Sequence, residues 1–275
     1  MAALLALLSS GMWGTADYLA GRMSRTRHVL VVLVASQSAG LLLMLVVATI
    51  AGAWTAPSGY LPWAVLASLA GASGLACYYR ALAIGTMGVV SPIAALGVLV
   101  PLVVGVADGE RPGALQVAGI GAAILGVVLA SGPEVHGDAG WRPVLLAGAS
   151  AVLLGISLVA IARGSGSSVV MTMTVMRVVT VTLMGLAVLA MRWSVRVPPR
   201  DVPGLATVGV LDVGANLTFG IASTLGLLSL VSVFGSLYPV ATILLARGLD
   251  GERLRTVQKV GVVFALGGAA AISAG

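Results

Sequence analysis

Apolar residues fill this chain in long blocks, broken by short polar gaps, and the blocks number about ten. They begin near residues 3, 29, 61, 86, 114, 141, 168, 202, 226 and 257. A helix needs about 20 apolar residues to cross a bilayer, so each block is expected to be one membrane helix. The gaps carry charges and turn formers: Gly21 to His28 closes the first block, Ala56-Pro57-Ser58-Gly59 the second, and Arg196 to Asp201 the seventh. The gaps Gly85 to Gly88 and Ser223 to Gly226 are so short that they predict tight antiparallel hairpins, while Gly164-Ser165-Gly166-Ser167-Ser168 reads as a flexible connector.

One polar pattern occurs twice. Asp108-Gly109-Glu110-Arg111 returns 142 residues later (250 − 108) as Asp250-Gly251-Glu252-Arg253, and Gln116, Gly119 and Gly126 fall on Gln258, Gly261 and Gly268 under the same shift. A duplication divides the chain into residues 1–133 and 134–275, five helices in each. Five is odd, so the second half enters the membrane with the opposite orientation. The predicted fold is an all-α integral membrane protein of ten transmembrane helices in two inverted repeats, an arrangement used by carriers with a site near the bilayer midplane.

The repeat, Trp13-Gly14 in the first block, Tyr238-Pro239 followed by Gly251-Glu252-Arg253, and the Gly-rich helix after each Glu-Arg resemble the EamA-like branch of the drug/metabolite transporter superfamily. The resemblance covers nearly the whole chain. It implies a carrier in a bacterial cytoplasmic membrane, with relatives that export amino acids, other metabolites or drugs. It also implies a cavity lined by helices one, three, four, six, eight and nine, with five and ten at the periphery. In one place the chain departs from the pattern: the position matching Pro239 is Gly97, with Pro101 one turn later.

Composition narrows the function. Charged residues make up 9% of the chain and hydrophobic ones 59%, against about 25% charged in a soluble domain. The net charge of +6 comes from arginines clustered between apolar blocks, which fits lipid headgroups and orientation rather than nucleic acid. Eleven Lys and Arg in the gaps after helices one, three, five, seven and nine, Arg25 and Arg253 among them, face only Arg111 and Arg163 on the other side. The positive-inside rule then makes the first side cytoplasmic, with both termini outside. Cys77 is the only cysteine and lies in an apolar block, while His28 and His136 lie in polar gaps, so neither a disulfide nor a metal site is expected. The first block is read as a helix rather than a secretory leader, because the start lacks a positive region and a cleavage pattern.

Charges inside a membrane helix cost at least ~2.5 kcal/mol each at its centre and so mark partners, water or function. Asp17, Arg80, Arg177 and Asp212 are the four that stand out. Depth along their helices allows two ion pairs, Asp17 with Arg80 and Asp212 with Arg177. These are either structural locks or, with a carboxylate facing the cavity, a site for a cationic substrate or for the proton that drives exchange. Asp212 with Asn216 four residues on is the first candidate, Asp17 the second. Trp13, Tyr18, Tyr78, Tyr79 and Tyr238 are candidate aromatic walls, and Gln37 and Arg177, at nearly matching repeat positions, are read as packing or repeat-interface polar groups. Pro92, Pro101 and Pro239 are expected to kink helices. Gly119, Gly121, Gly126, Gly261, Gly267 and Gly268 are expected at close helix contacts, and each Gly-Glu-Arg is read as a cap on the helix that follows.

Enzyme signatures are weak. Gly71-Ala72-Ser73-Gly74 imitates an intramembrane serine protease motif, but no membrane histidine is present to act as base. Nothing resembles a nucleotide-binding loop with its lysine. The expected function is therefore secondary transport of a small molecule without a cofactor, by a monomer or homodimer. A membrane-embedded enzyme and a non-transporting accessory subunit are the alternatives.

Overall fold

The computed structural model describes residues 1–24, 26–85, 87–131, 141–250 and 255–275. Arg25, His136 and the Gly251-Glu252-Arg253 motif lie outside the described residues. The described residues form helices and turns, with no strand among them. The helices are α1 (Ala2–Ser24), α2 (Val29–Ile50), α3 (Leu61–Ile84), α4 (Met87–Ala95), α5 (Leu99–Ala107), α6 (Ala114–Ala130), α7 (Trp141–Ala190), α8 (Val202–Leu225), α9 (Leu228–Gly235), α10 (Tyr238–Asp250) and α11 (Thr256–Ala274). Among the described residues, seven stretches are long and apolar enough to cross a membrane: Val29–Ile50, Ser58–Ile84, Val89–Ala107, Trp141–Ala190, Pro199–Leu225, Leu228–Asp250 and Thr256–Ala274. This is a multi-pass membrane protein. Many large apolar side chains are accordingly exposed, Leu42, Val103 and Leu189 among them, where lipid rather than water covers them.

Helix α7 is 50 residues long, which at ~1.5 Å per residue would span about 75 Å if straight. It is broken at Ser168, whose backbone is extended (φ −162°, ψ 112°). The two parts fold back on each other: a methyl group added to Gly164 would lie 2.7 Å from Cγ2 of Thr172, eight residues on and about 12 Å away in a straight helix. Ser168 opens the second part as its cap, with its Oγ accepting from the Met171 N–H at 3.3 Å. The expected flexible connector is thus a one-residue reversal, with Gly164 and Ser165 buried.

The fourth and ninth blocks are each broken into two helices, and the prolines explain less of this than expected. Pro92 lies inside α4. Pro101 and Pro239, however, fall in the first turns of α5 and α10, where a missing N–H removes no helical hydrogen bond. The breaks lie just before them, at Leu96–Val98 and at Ser236 and Leu237.

Small residues let the helices approach. Helix α1 packs on α8 and α10, α3 on α7, α2 on α7 and α8, and α6 on α11. The Ser9 hydroxyl donates to the Ala215 carbonyl at 2.8 Å across α1 and α8, and the Ser157 hydroxyl to the Ala67 carbonyl at 2.8 Å across α7 and α3. Phe219, Phe234, Met44 and Met173 fill the space between. The matched glutamines also do matched work: Gln116 Oε1 accepts from the Gly113 N–H at 2.9 Å and Gln258 Oε1 from the Arg255 N–H at 3.0 Å, capping α6 and α11.

In the α6–α11 pair, Gly119, Gly126, Gly261 and Gly268 meet the partner backbone, whereas nothing lies near Gly121 or Gly267. The expected role in close packing therefore holds for four of the six glycines. A Cβ on Gly126 would strike the Ala265 backbone. Gly126→Ala is expected to lower stability by about 2 kcal/mol through overpacking, whereas Gly121→Ala raises it by a few tenths, roughly the gain in helix propensity. Denaturant unfolding of the purified protein in detergent distinguishes the two.

Candidate functional site

The site forms where α1 meets the second half of the chain. Gly14 removes the side chain that would hold α1 and α10 apart, since a Cβ there would be 2.6 Å from both the Ala241 Cβ and the Tyr238 carbonyl oxygen. The Thr242 hydroxyl donates to the Gly14 carbonyl at 3.1 Å and fastens the contact. Trp13, the preceding residue, is thereby placed edge-on to Tyr238, with ring centroids 6.5 Å apart and planes at 72°, and tilted against Phe219 at 5.7 Å. Asp17 lies one turn further along α1, on the Trp13 face.

Asp17 is solvent-accessible although it lies in a membrane helix. Tyr78 and Tyr79 of α3 have ring centroids 5.9 Å apart, and the Tyr78 hydroxyl is 3.0 Å from the Ser91 hydroxyl of α4. The expected Asp17–Arg80 ion pair is absent. Arg80 is exposed and makes no ion pair with Asp17, because it follows Tyr79 by one residue and so points about 100° away around the helix.

Asp212 is in the opposite condition. Its Oδ2 lies 2.7 Å from Arg177 Nη2 and accepts from Gln37 Nε2 at 3.1 Å, while Oδ1 accepts from Asn216 Nδ2 at 3.2 Å. Gln37 in turn accepts from Arg177 Nη1 through its Oε1. The Arg177 side chain is 5% exposed and the Asp212 side chain 24%. Gly40 of α2 leaves room for Val213 and Arg177 to pass. The pair expected from depth is therefore present, and of the two readings of Gln37 the contacts fit the polar one, since it bridges both charges. The near-match of the two positions in the repeat, 140 residues apart, was the sequence signal for their contact.

Glu110 is not a cap on the helix that follows it. Its two carboxylate oxygens accept from the backbone N–H groups of Leu228 at 2.5 Å and Ser229 at 2.9 Å. It therefore caps α9, in the other half of the chain. Asp108, two residues earlier, pairs with Arg163 of α7 at 2.5 Å. At the C-terminal end of α1, Arg22 lies 3.9 Å from Asp250 and 3.5 Å from the Tyr18 hydroxyl, and Arg27 pairs with Asp201 at 2.6 Å. Tyr18 is therefore part of that polar cluster rather than of an aromatic wall. Among the described residues no group of three or more His, Cys, Asp or Glu is placed to hold a metal ion.

The family model for EamA-like transporters matches residues 1–132 and again residues 141–274. This chain belongs to the EamA-like transporter family. A crystal structure 21% identical in sequence covers 98% of this chain and 95% of its own, with a TM-score of 0.79; that likeness establishes a shared fold. No curated protein matches the sequence. Family membership places the Trp13–Asp17 face, the Arg177–Asp212 pair and the Glu110 cap in a membrane protein of a transporter family, and each half of the chain contributes to all three sites of contact.

Proposed function

We propose that this chain is a secondary active transporter of the bacterial cytoplasmic membrane, exporting a small molecule by alternating access of a site beside Asp17 and Asp212, with proton exchange as its driving force. Ten crossings follow if α7 is counted as two helices and α1 and α6 are added to the other six apolar stretches. Two inverted repeats account for the duplicated family match and for the contact of Gln37 with Arg177, positions 140 residues apart.

The observation that carries the reading is a pair of related but unequal ion pairs. Asp108 and Asp250 are repeat mates, and so are Arg22 and Arg163 to within one residue. Under an inverted repeat, Asp108–Arg163 and Asp250–Arg22 stand on opposite membrane faces. The first is closed at 2.5 Å and backed by the Glu110 cap, the second stretched to 3.9 Å. Exposed ion pairs contribute about 0–1 kcal/mol, weak enough to form and break in each cycle.

Purified protein in liposomes, given an imposed pH gradient and a panel of labelled amino acids, amines, nucleosides and antibiotics, is expected to move at least one of them against its concentration gradient. Absence of flux for every solute, with the protein folded and inserted, contradicts the reading and favours the enzyme or accessory alternatives.

A further inference from the structure

We infer that the junction of α3 and α7 holds the headgroup of an anionic phospholipid, with its phosphate between the guanidinium groups of Arg80 and Arg142. The inference needs only that the chain spans a membrane, and it holds whatever solute is carried. Arg80 lies four residues (84 − 80) before Ile84, the last residue of α3, hence about 6 Å from the helix end. It is exposed and has no ion pair or hydrogen bond among the described residues. Helix α3 packs on α7 through small residues: the Ala67 carbonyl accepts from Ser157, the Ser68 hydroxyl is 2.8 Å from the Thr180 hydroxyl, and a Cβ on Gly74 would lie 2.9 Å from the Leu154 Cγ. Its other face is apolar, with Leu66 40%, Leu69 45% and Ile84 43% exposed. Leu69 and Arg80 are 11 residues apart (80 − 69), which is about 20° around the helix. Arg80 thus rises from a stripe that acyl chains cover, and its length carries the guanidinium toward the headgroups.

Helix α7 begins beside that end of α3. A Cβ on Gly85, which closes α3, would lie 2.5 Å from the Pro143 Cβ, and Arg142 is the residue before Pro143. Its guanidinium is 5.6 Å from the centroid of the exposed Trp141 ring, and no carboxylate among the described residues pairs with it. Arg22 and Arg27, by contrast, have Asp250 and Asp201. A cation in the first turn of α7 also opposes the helix dipole, whereas a phosphate there is favoured by it. Two unneutralised guanidiniums suit a phosphodiester of net negative charge, which each can grip through paired N–H groups. A zwitterionic headgroup brings its own ammonium and gains less. A water-borne anion has nothing to cover Leu66 and Leu69, whereas a phospholipid brings phosphate and acyl chain together.

The test is native mass spectrometry of the purified protein in detergent, titrated with dioleoyl phosphatidylglycerol, with dioleoyl phosphatidylcholine, or with glycerol phosphate. The first phosphatidylglycerol is expected to bind about tenfold tighter than phosphatidylcholine, and glycerol phosphate not to displace it. Arg80→Gln and Arg142→Gln should each weaken phosphatidylglycerol about fivefold, the contribution of one arginine near an anionic headgroup, and the double variant about 20-fold. Arg80→Lys, which keeps the charge without the fork, should fall between the native protein and Arg80→Gln. Arg192→Gln, which removes an exposed charge at the C-terminal end of α7, should change nothing. Equal binding of phosphatidylcholine, unchanged affinity in the double variant, or an equal loss in Arg192→Gln overturns the inference. Displacement of phosphatidylglycerol by glycerol phosphate overturns the lipid as occupant and makes Arg80 part of a water-filled route for anions.

Discussion

Arg177→Met is expected to destabilise the protein by about 3 kcal/mol, because it strips a buried ion pair of its cation. Asp212 then keeps only its two amide donors; breaking one side of a buried pair costs roughly 3–5 kcal/mol. The double variant Arg177→Met/Asp212→Leu removes both charges at once and should recover most of the loss, because apolar replacements of a buried pair are often neutral. Denaturant titration of the three proteins in one detergent provides the comparison. Equal instability of the single and double variants would mean that the side-chain volumes, not the charges, hold α2, α7 and α8 together.

Glu110→Ala is expected to lower stability by about 2 kcal/mol, since each charge-assisted hydrogen bond contributes roughly 1.5–3 kcal/mol and the N–H groups of Leu228 and Ser229 regain only part of this from water. Glu110→Gln keeps one acceptor and should lose less than half as much. Because this carboxylate also ties α9 to the end of α5, its loss should raise the thiol-labelling rate of a cysteine placed at Ser229. An unchanged rate would make Glu110 a local cap with no part in closing that face.

Much of the fold was legible because membrane helices must be continuous apolar runs. The structure begins helices at Val29, Leu61, Ala114, Trp141 and Val202, where the polar gaps end. Helix ends are visible in sequence when charge and turn residues coincide there, as at Arg22 and Asp201. What stayed hidden depends on long-range geometry. Nothing in the residues near Glu110 indicates that its acceptors turn toward a helix 118 residues away. Depth along α1 and α3 put Asp17 and Arg80 level, but depth carries no information about rotation around the helix, and the two make no ion pair. Asp212 and Arg177 were level as well, and there the facing rotations agree. Their partner Gln37 was marked by its repeat position alone. The prolines misled for a related reason: a proline reports a place where a helical N–H is not needed, which is as true of a first turn as of a kink.

The most direct measurement of alternating access is flux through protein locked at one face at a time. On a Cys77→Ala background, cysteines at Asp108 and Arg163, or at Arg22 and Asp250, are bridged by a short bifunctional thiosulfonate in proteoliposomes. Either bridge alone is expected to stop transport of the solute found in the flux screen, and reductant to restore it, because each face must open once per cycle. Transport that continues with both faces bridged would contradict alternating access in this chain.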